Sequence, residues 1–139
     1  MRKFRAADVL GLMVLSVVLA ACAGYTETGT KTTSHQGMNG GNVTVEISKA
    51  SGTTEKDIEV GGSADQVMEV DVTLAVGKGT YKIELLGKDS QVTLALEARD
   101  GETVSGQGQM VTDSFGQASY RVTALDAESV AYAFEYTFR

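Results

Sequence analysis

The sequence predicts an all-β fold, an antiparallel two-sheet β-sandwich of seven to eight strands, and three observations carry that expectation. From Asn42 to Arg139, 98 residues, apolar and polar side chains alternate with period two. Gly and Asp punctuate the alternation at regular intervals. No window carries the i, i+3, i+4, i+7 apolar stripe of an amphipathic helix, and sixteen glycines in 139 residues work against long helices. Each strand then has one apolar and one polar face, as a two-layer core requires. A small closed β-barrel is the alternative, because it would use the same alternation.

The first alternating stretch sets Val43, Val45 and Ile47 against Thr44, Glu46 and Ser48. Lys56-Asp57-Ile58-Glu59-Val60 is shorter and more polar, the character of an edge strand. Met68, Val70, Val72, Leu74 and Val76 share one face, before a turn at Gly77-Lys78-Gly79. Tyr81, Ile83 and Leu85 form the next face, ended by Gly87-Lys88-Asp89. Val92, Leu94, Leu96 and Ala98 lead to Asp100-Gly101, a strong hairpin signal. Gly106 and Gly108 interrupt the run from Thr103 to Val111 and predict a bulge or a close backbone approach. Ala118, Tyr120, Val122 and Ala124 precede a turn at Asp126-Ala127-Glu128. In the last run, Tyr132, Phe134, Tyr136 and Phe138 face away from Ala131, Ala133, Glu135 and Thr137. That second set cannot fill a core, so the aromatic face is predicted to be buried rather than offered to a sugar. A core of this size should form without metal or disulfide.

The first 21 residues read differently. Arg2, Lys3 and Arg5 precede an apolar run from Val9 to Leu19, 11 residues long. A spanning helix needs about 20 apolar residues and a signal-peptide core roughly 7–15, so a secretory leader is predicted. Leu19-Ala20-Ala21-Cys22 resembles the bacterial lipobox: a Leu and two small residues before the Cys that becomes the mature N-terminus. The resemblance implies that a signal peptidase recognises Leu19, Ala20 and Ala21 and removes residues 1–21. It also implies a diacylglyceryl thioether on Cys22, with palmitate-like chains, anchoring the protein on the extracytoplasmic side of a membrane in the cell envelope. Two acyl chains anchor stably where one holds only marginally. Ala23 is not the Asp that retains such proteins at the inner membrane, so the outer membrane is implied where a second membrane exists.

Residues 22–41 are rich in Gly, Thr and Ser and lack apolar periodicity, which predicts a flexible tether. Nineteen such residues after the Cys would reach roughly 25 Å. The sole histidine, His35, lies there and is expected to be solvated. The sandwich domain is expected over 42–139.

Composition narrows the chemistry. One Cys and one His cannot build a four-ligand Cys/His metal cage, and one Cys cannot close an internal disulfide. From Cys22 onward there are nine basic and seventeen acidic residues, a formal charge of −8. That balance argues against nucleic acid as a partner and pushes the body away from anionic lipid headgroups. Asp100, Glu102, Asp113, Asp126 and Glu128 in predicted turns are the candidates for Ca²⁺, but no Asp-x-Asp-x-Asp spacing groups them. They read as turn residues and solubilising charge. Ser and Thr without a positioned His base make poor nucleophiles. No catalytic, cofactor-binding or metal-ligating residue is therefore expected. The expected function is a membrane-anchored lipoprotein whose sandwich is a non-catalytic interaction or scaffold module for another envelope protein. The alternative is a ligand-binding module for a glycan or small solute, with or without Ca²⁺.

Overall fold

The computed structural model describes residues 24–139; the leader and the lipobox, Leu19 to Cys22, lie outside the described residues. The strands are β1 (Thr26–Thr28), β2 (Lys31–Gln36), β3 (Gly40–Glu59), β4 (Val67–Leu86), β5 (Val92–Ala98), β6 (Thr103–Val111) and β7 (Gln117–Phe138). They form one antiparallel sheet in the order β1-β3-β7-β4-β5, with β2 also on β3 and β6 also on β4.

Three strands are far longer than the alternation alone indicated: β3, β4 and β7 have 20, 20 and 22 residues. The segments Gly77-Lys78-Gly79 and Asp126-Ala127-Glu128 do not reverse the chain. They are bends inside β4 and β7, and they align across the sheet with a register shift between Ala50 and Gly52 of β3. The inward positions change parity at this line. β3 buries Val43, Val45 and Ile47 before it, then Ala50 and Ile58. β4 buries Met68 through Val76 on even numbers, then Tyr81, Ile83 and Leu85 on odd ones. A bulge inserts one residue and bends the strand, so the shift in parity keeps the apolar side inside around the corner. Gly79, at φ +80°, sits where a Cβ would overlap the Asp126 carbonyl oxygen; only glycine fits.

Doubled over this line, the sheet becomes two facing layers. One holds β2, β6 and the halves of β3, β4 and β7 that pair with them through Gly40–Ile47, Val67–Val76 and Val130–Thr137. The other holds β5 and the remaining halves, with β1 at the bend. Across the gap Tyr120 meets Phe134 edge-on at 4.8 Å and Tyr132 at 5.9 Å, although all three belong to β7. The expected sandwich is present, made from one folded sheet. That sheet is not closed, so the barrel alternative fails. Tyr132, Phe134 and Tyr136 are buried as predicted. Gly106 and Gly108 make the predicted close approach, their α-carbons lying against Leu94 and Leu96 of β5.

The tether reading does not hold for residues 26–36. They form β1 and β2, paired with β3 in one continuous register from Thr26↔Ser51 to Gln36↔Gly41. His35 is an exposed strand residue opposite Asn42. Every side chain of β2 is exposed, so the strand leaves no apolar pattern in the sequence. Its backbone ladder and the burial of Tyr25 hold it instead.

Candidate functional site

The doubled sheet has two unlike ends. At the bend end lie Gly24 and Tyr25, Lys49–Gly52, Gly77–Thr80, the Arg99–Glu102 turn and Leu125–Ser129. At the other end every remaining loop gathers: residues 37–39, 60–66, 87–91 and 112–116.

The loop end is tied together by short polar contacts. The Gln36 amide donates to the Glu59 carbonyl at 2.6 Å, and the Val60 N–H donates to the Gly116 carbonyl at 3.0 Å. Thr112, apart from the tyrosines the one buried side chain with a polar group among the described residues, accepts from the Gln66 N–H at 2.8 Å and donates to the Ser63 carbonyl. Asp113 accepts from the Phe115 N–H at 2.8 Å and the Gln117 N–H at 3.0 Å, closing a tight turn. That turn holds Phe115 out into solvent, 82% exposed. Met38, at the tip of the β2–β3 turn, is 95% exposed. Beside these lies a shallow cleft of about 280 Å³ lined by Asp65, Leu86, Lys88, Ser90, Asp113 and Ser119, among others. Exposed aromatic and thioether side chains next to a polar cleft can take up a partner by burial.

Inside the sandwich, a chain of hydroxyls leads from the bend end into the core. Tyr25 donates to Glu27 Oε1 at 2.5 Å and lies 3.3 Å from the Tyr81 hydroxyl. Tyr81 stacks on Tyr132 at 5.8 Å, and the Tyr132 and Tyr120 hydroxyls are 2.8 Å apart. Glu27 also accepts from Lys56 Nζ at 2.7 Å and from Thr30 at 2.8 Å, and the Lys56 ammonium lies 5.8 Å from the Tyr25 ring centre. Burial acts to raise the Glu27 carboxyl, but the Lys56 charge, the hydrogen bond from it and those from Tyr25 and Thr30 outweigh that and hold the group below its usual value. Tyr25, Tyr81, Tyr120 and Tyr132 are all pushed up, first by burial and, for Tyr25, by Tyr81 and Glu27 next. Buried and hydrogen-bonded in series, these phenols pin the N-terminal strand to the core.

The acidic residues singled out from the sequence are not brought together. Asp100 accepts from the Gly79 N–H at 2.6 Å, and Glu102 from the Arg99 N–H at 2.8 Å. Asp113 closes its own turn at the far end. Asp126 and Glu128 line an open groove of about 430 Å³ at the bend with Thr26, Thr28 and Lys49. Among the described residues no three His, Cys, Asp or Glu side chains could share a metal ion. Sequence reasoning missed Tyr25, Glu27 and Lys56. The signal was a lone aromatic and a carboxylate two residues apart in otherwise small polar sequence. It also missed Phe115, whose mark was an aromatic standing in a turn rather than on a strand.

The chain matches no family model and no curated protein. Among solved structures it is similar to the CBM22-1 xylan-binding domain of Paenibacillus barcinonensis Xyn10C, with 15% identity over 86% of this chain and 88% of that one, at a TM-score of 0.40. The carbohydrate-binding module CBM6cm-2 from Cellvibrio mixtus lichenase 5A, in complex with cellotriose, gives 11% identity, 80% and 88% coverage and a TM-score of 0.37. A chain from the disulfide-linked pili of Bacillus endospore appendages gives 13%, 88% and 100%, and 0.45.

Proposed function

We propose that this chain is a lipid-anchored module of the bacterial cell envelope, fastened through Cys22 and working by contact rather than by catalysis, with its loop end as the face offered to another envelope protein. The placement of the chain's entry carries this reading. Gly24 and Tyr25 lie at the bend end, and the exposed Phe115 and Met38 stand at the opposite end of the sandwich. About ten residues of strand separate the two ends, a rise of roughly 33 Å. An aromatic anchor on a rigid turn is the kind of residue that dominates binding energy at interfaces.

Two measurements test the proposal. Intact mass and membrane fractionation of the wild type and Cys22→Ser should show a diacylglyceryl adduct and membrane association that the variant lacks. A photoreactive amino acid at Phe115 should cross-link to a discrete envelope protein in cells, whereas one at Thr73 on the outer sheet face should not. An unmodified Cys22, or equal cross-linking from both positions, overturns the reading.

A second reading, a site for a glycan or small polar solute, is favoured by the hydroxyl, amide and carboxylate lining of the loop-end cleft. A saccharide screen with and without Ca²⁺ separates the two, because a ligand at 100 times its Kd raises stability by about 2.7 kcal/mol.

A further inference from the structure

We infer that the bend end of the sandwich is a membrane-contacting face: in the anchored protein it rests on the lipid surface, with the Leu125 side chain against the bilayer and the strands standing away from it. This rests on lipidation of Cys22, and it replaces the picture of a body floating on a long tether.

The link between lipid and fold is short. Tyr25 is buried, bonded to Glu27 and in contact with the Tyr81 hydroxyl, so the chain is fixed to the core there. Cys22 precedes it by three residues, which even fully extended reach about 11 Å. The point of entry is fixed as well. The backbone of Gly24 and Tyr25 lies directly against Gly52 at φ +104°, where a Cβ would overlap the Gly24 carbonyl oxygen. Gly52 in turn pairs with Ala124, the neighbour of Leu125. Two strand spacings, about 10 Å, therefore separate the entry point from Leu125.

The chemistry of this end suits a lipid headgroup layer. Leu125 is 66% exposed and is the one large exposed apolar side chain at this end among the described residues. Its bulge presents it outward between buried Ala124 and buried Ala127. Around it Lys49, Lys78 and Arg99 offset Asp100, Glu102, Asp126 and Glu128 to within one charge. Asp100 and Glu102 are further engaged by backbone N–H groups. Most of the net charge of −8 thus lies on the rest of the body, which headgroups repel, so the nearly neutral end turns toward the surface.

Because the only native thiol would be consumed by lipid, single cysteines can be placed and spin-labelled without competition. Leu125→Cys, Ser34→Cys on the exposed edge strand and Phe115→Cys on the loop end are introduced into the full lipidated chain in vesicles of phosphatidylcholine and anionic phosphatidylglycerol. Collision with membrane-dissolved oxygen, against a water-soluble nickel relaxant, then reports depth at each site. The expected result is a several-fold higher oxygen-to-nickel ratio at 125 than at 34 and 115, and no such difference in the Cys22→Ser protein. Intact mass separates the two possible failures. A lipidated chain with equal ratios, or with the highest ratio at 34 or 115, overturns the orientation alone. A chain without lipid overturns both the orientation and the anchoring on which it rests.

Discussion

Tyr25 is the residue on which the N-terminal strand depends, and its replacement has a calculable cost. Its ring is 5% exposed, and an aromatic ring of this kind removes roughly 150–250 Å² from water. At about 25 cal/mol per Å², the ring of Tyr25 contributes roughly 4–6 kcal/mol as an upper bound. Its hydroxyl donates to a carboxylate, a charge-assisted bond contributing about 1.5–3 kcal/mol. Tyr25→Phe should therefore lose about 1.5–3 kcal/mol, and Tyr25→Ala about 3–5 kcal/mol, the usual range for emptying an aromatic site. In urea, with a slope of about 1–3 kcal/mol/M, Tyr25→Phe should move the midpoint by about 1 M. Circular dichroism on residues 22–139 carrying Cys22→Ser measures this. The difference should also shrink in acid. Glu27 is held below its usual value, so its contribution is present above the unfolded-state pKa and disappears as pH falls through the folded one. If Tyr25→Ala leaves the midpoint unmoved, residues 24–36 are a tether after all and the pinned entry point is wrong.

Two further outcomes are expected. All five tyrosines of the chain are raised above the ordinary phenol value, so the stability they confer is intact below pH of about 10 and lost as the unfolded chain begins to ionise above it. Phenolate absorbance should rise in a single step coincident with alkaline unfolding; gradual titration of even two tyrosines in the folded protein would contradict this. Among the described residues the Tyr136 hydroxyl is buried without a partner, whereas those of Tyr120 and Tyr132 pair at 2.8 Å. Tyr136→Phe should therefore raise stability by about 1 kcal/mol and Tyr120→Phe lower it by about the same amount, as read by thermal or urea unfolding.

The tyrosine pair also shows where a one-dimensional reading ends. Period-two alternation marks which side chains face inward, because a strand turns its residues to opposite sides by geometry alone. Val43, Val70, Tyr132 and Phe134 were legible for that reason, and so was the close approach at Gly106 and Gly108. Asp100-Gly101 is a turn as expected but not a hairpin: β5 and β6 each pair with β4 rather than with each other, so it carries the chain from one layer to the other. Alternation is blind to whether a Gly-rich interruption reverses a strand or bends it. Both Gly77-Lys78-Gly79 and Asp126-Ala127-Glu128 resemble turns locally, and only their alignment with Gly52 on neighbouring strands makes them one fold line. It is equally blind to β2, whose Lys, Thr, Ser, His and Gln side chains all face water. Its pairing energy lies in backbone groups that every residue shares.

Function divides along the same boundary. The proposed address and anchor are local readings, resting on the charge, length and small-residue spacing of Arg2 to Cys22, which a signal peptidase would read directly from the sequence. The polarity of the body is not local. Which end receives the chain, and which end holds out Phe115 and Met38, follows from three long strands folding over one line. That line sets residues 25, 52 and 125 side by side although they are far apart in sequence. Contacts of that kind exist only after the sheet has doubled over, because bulge geometry and cross-strand register, rather than any single residue's preference, place them.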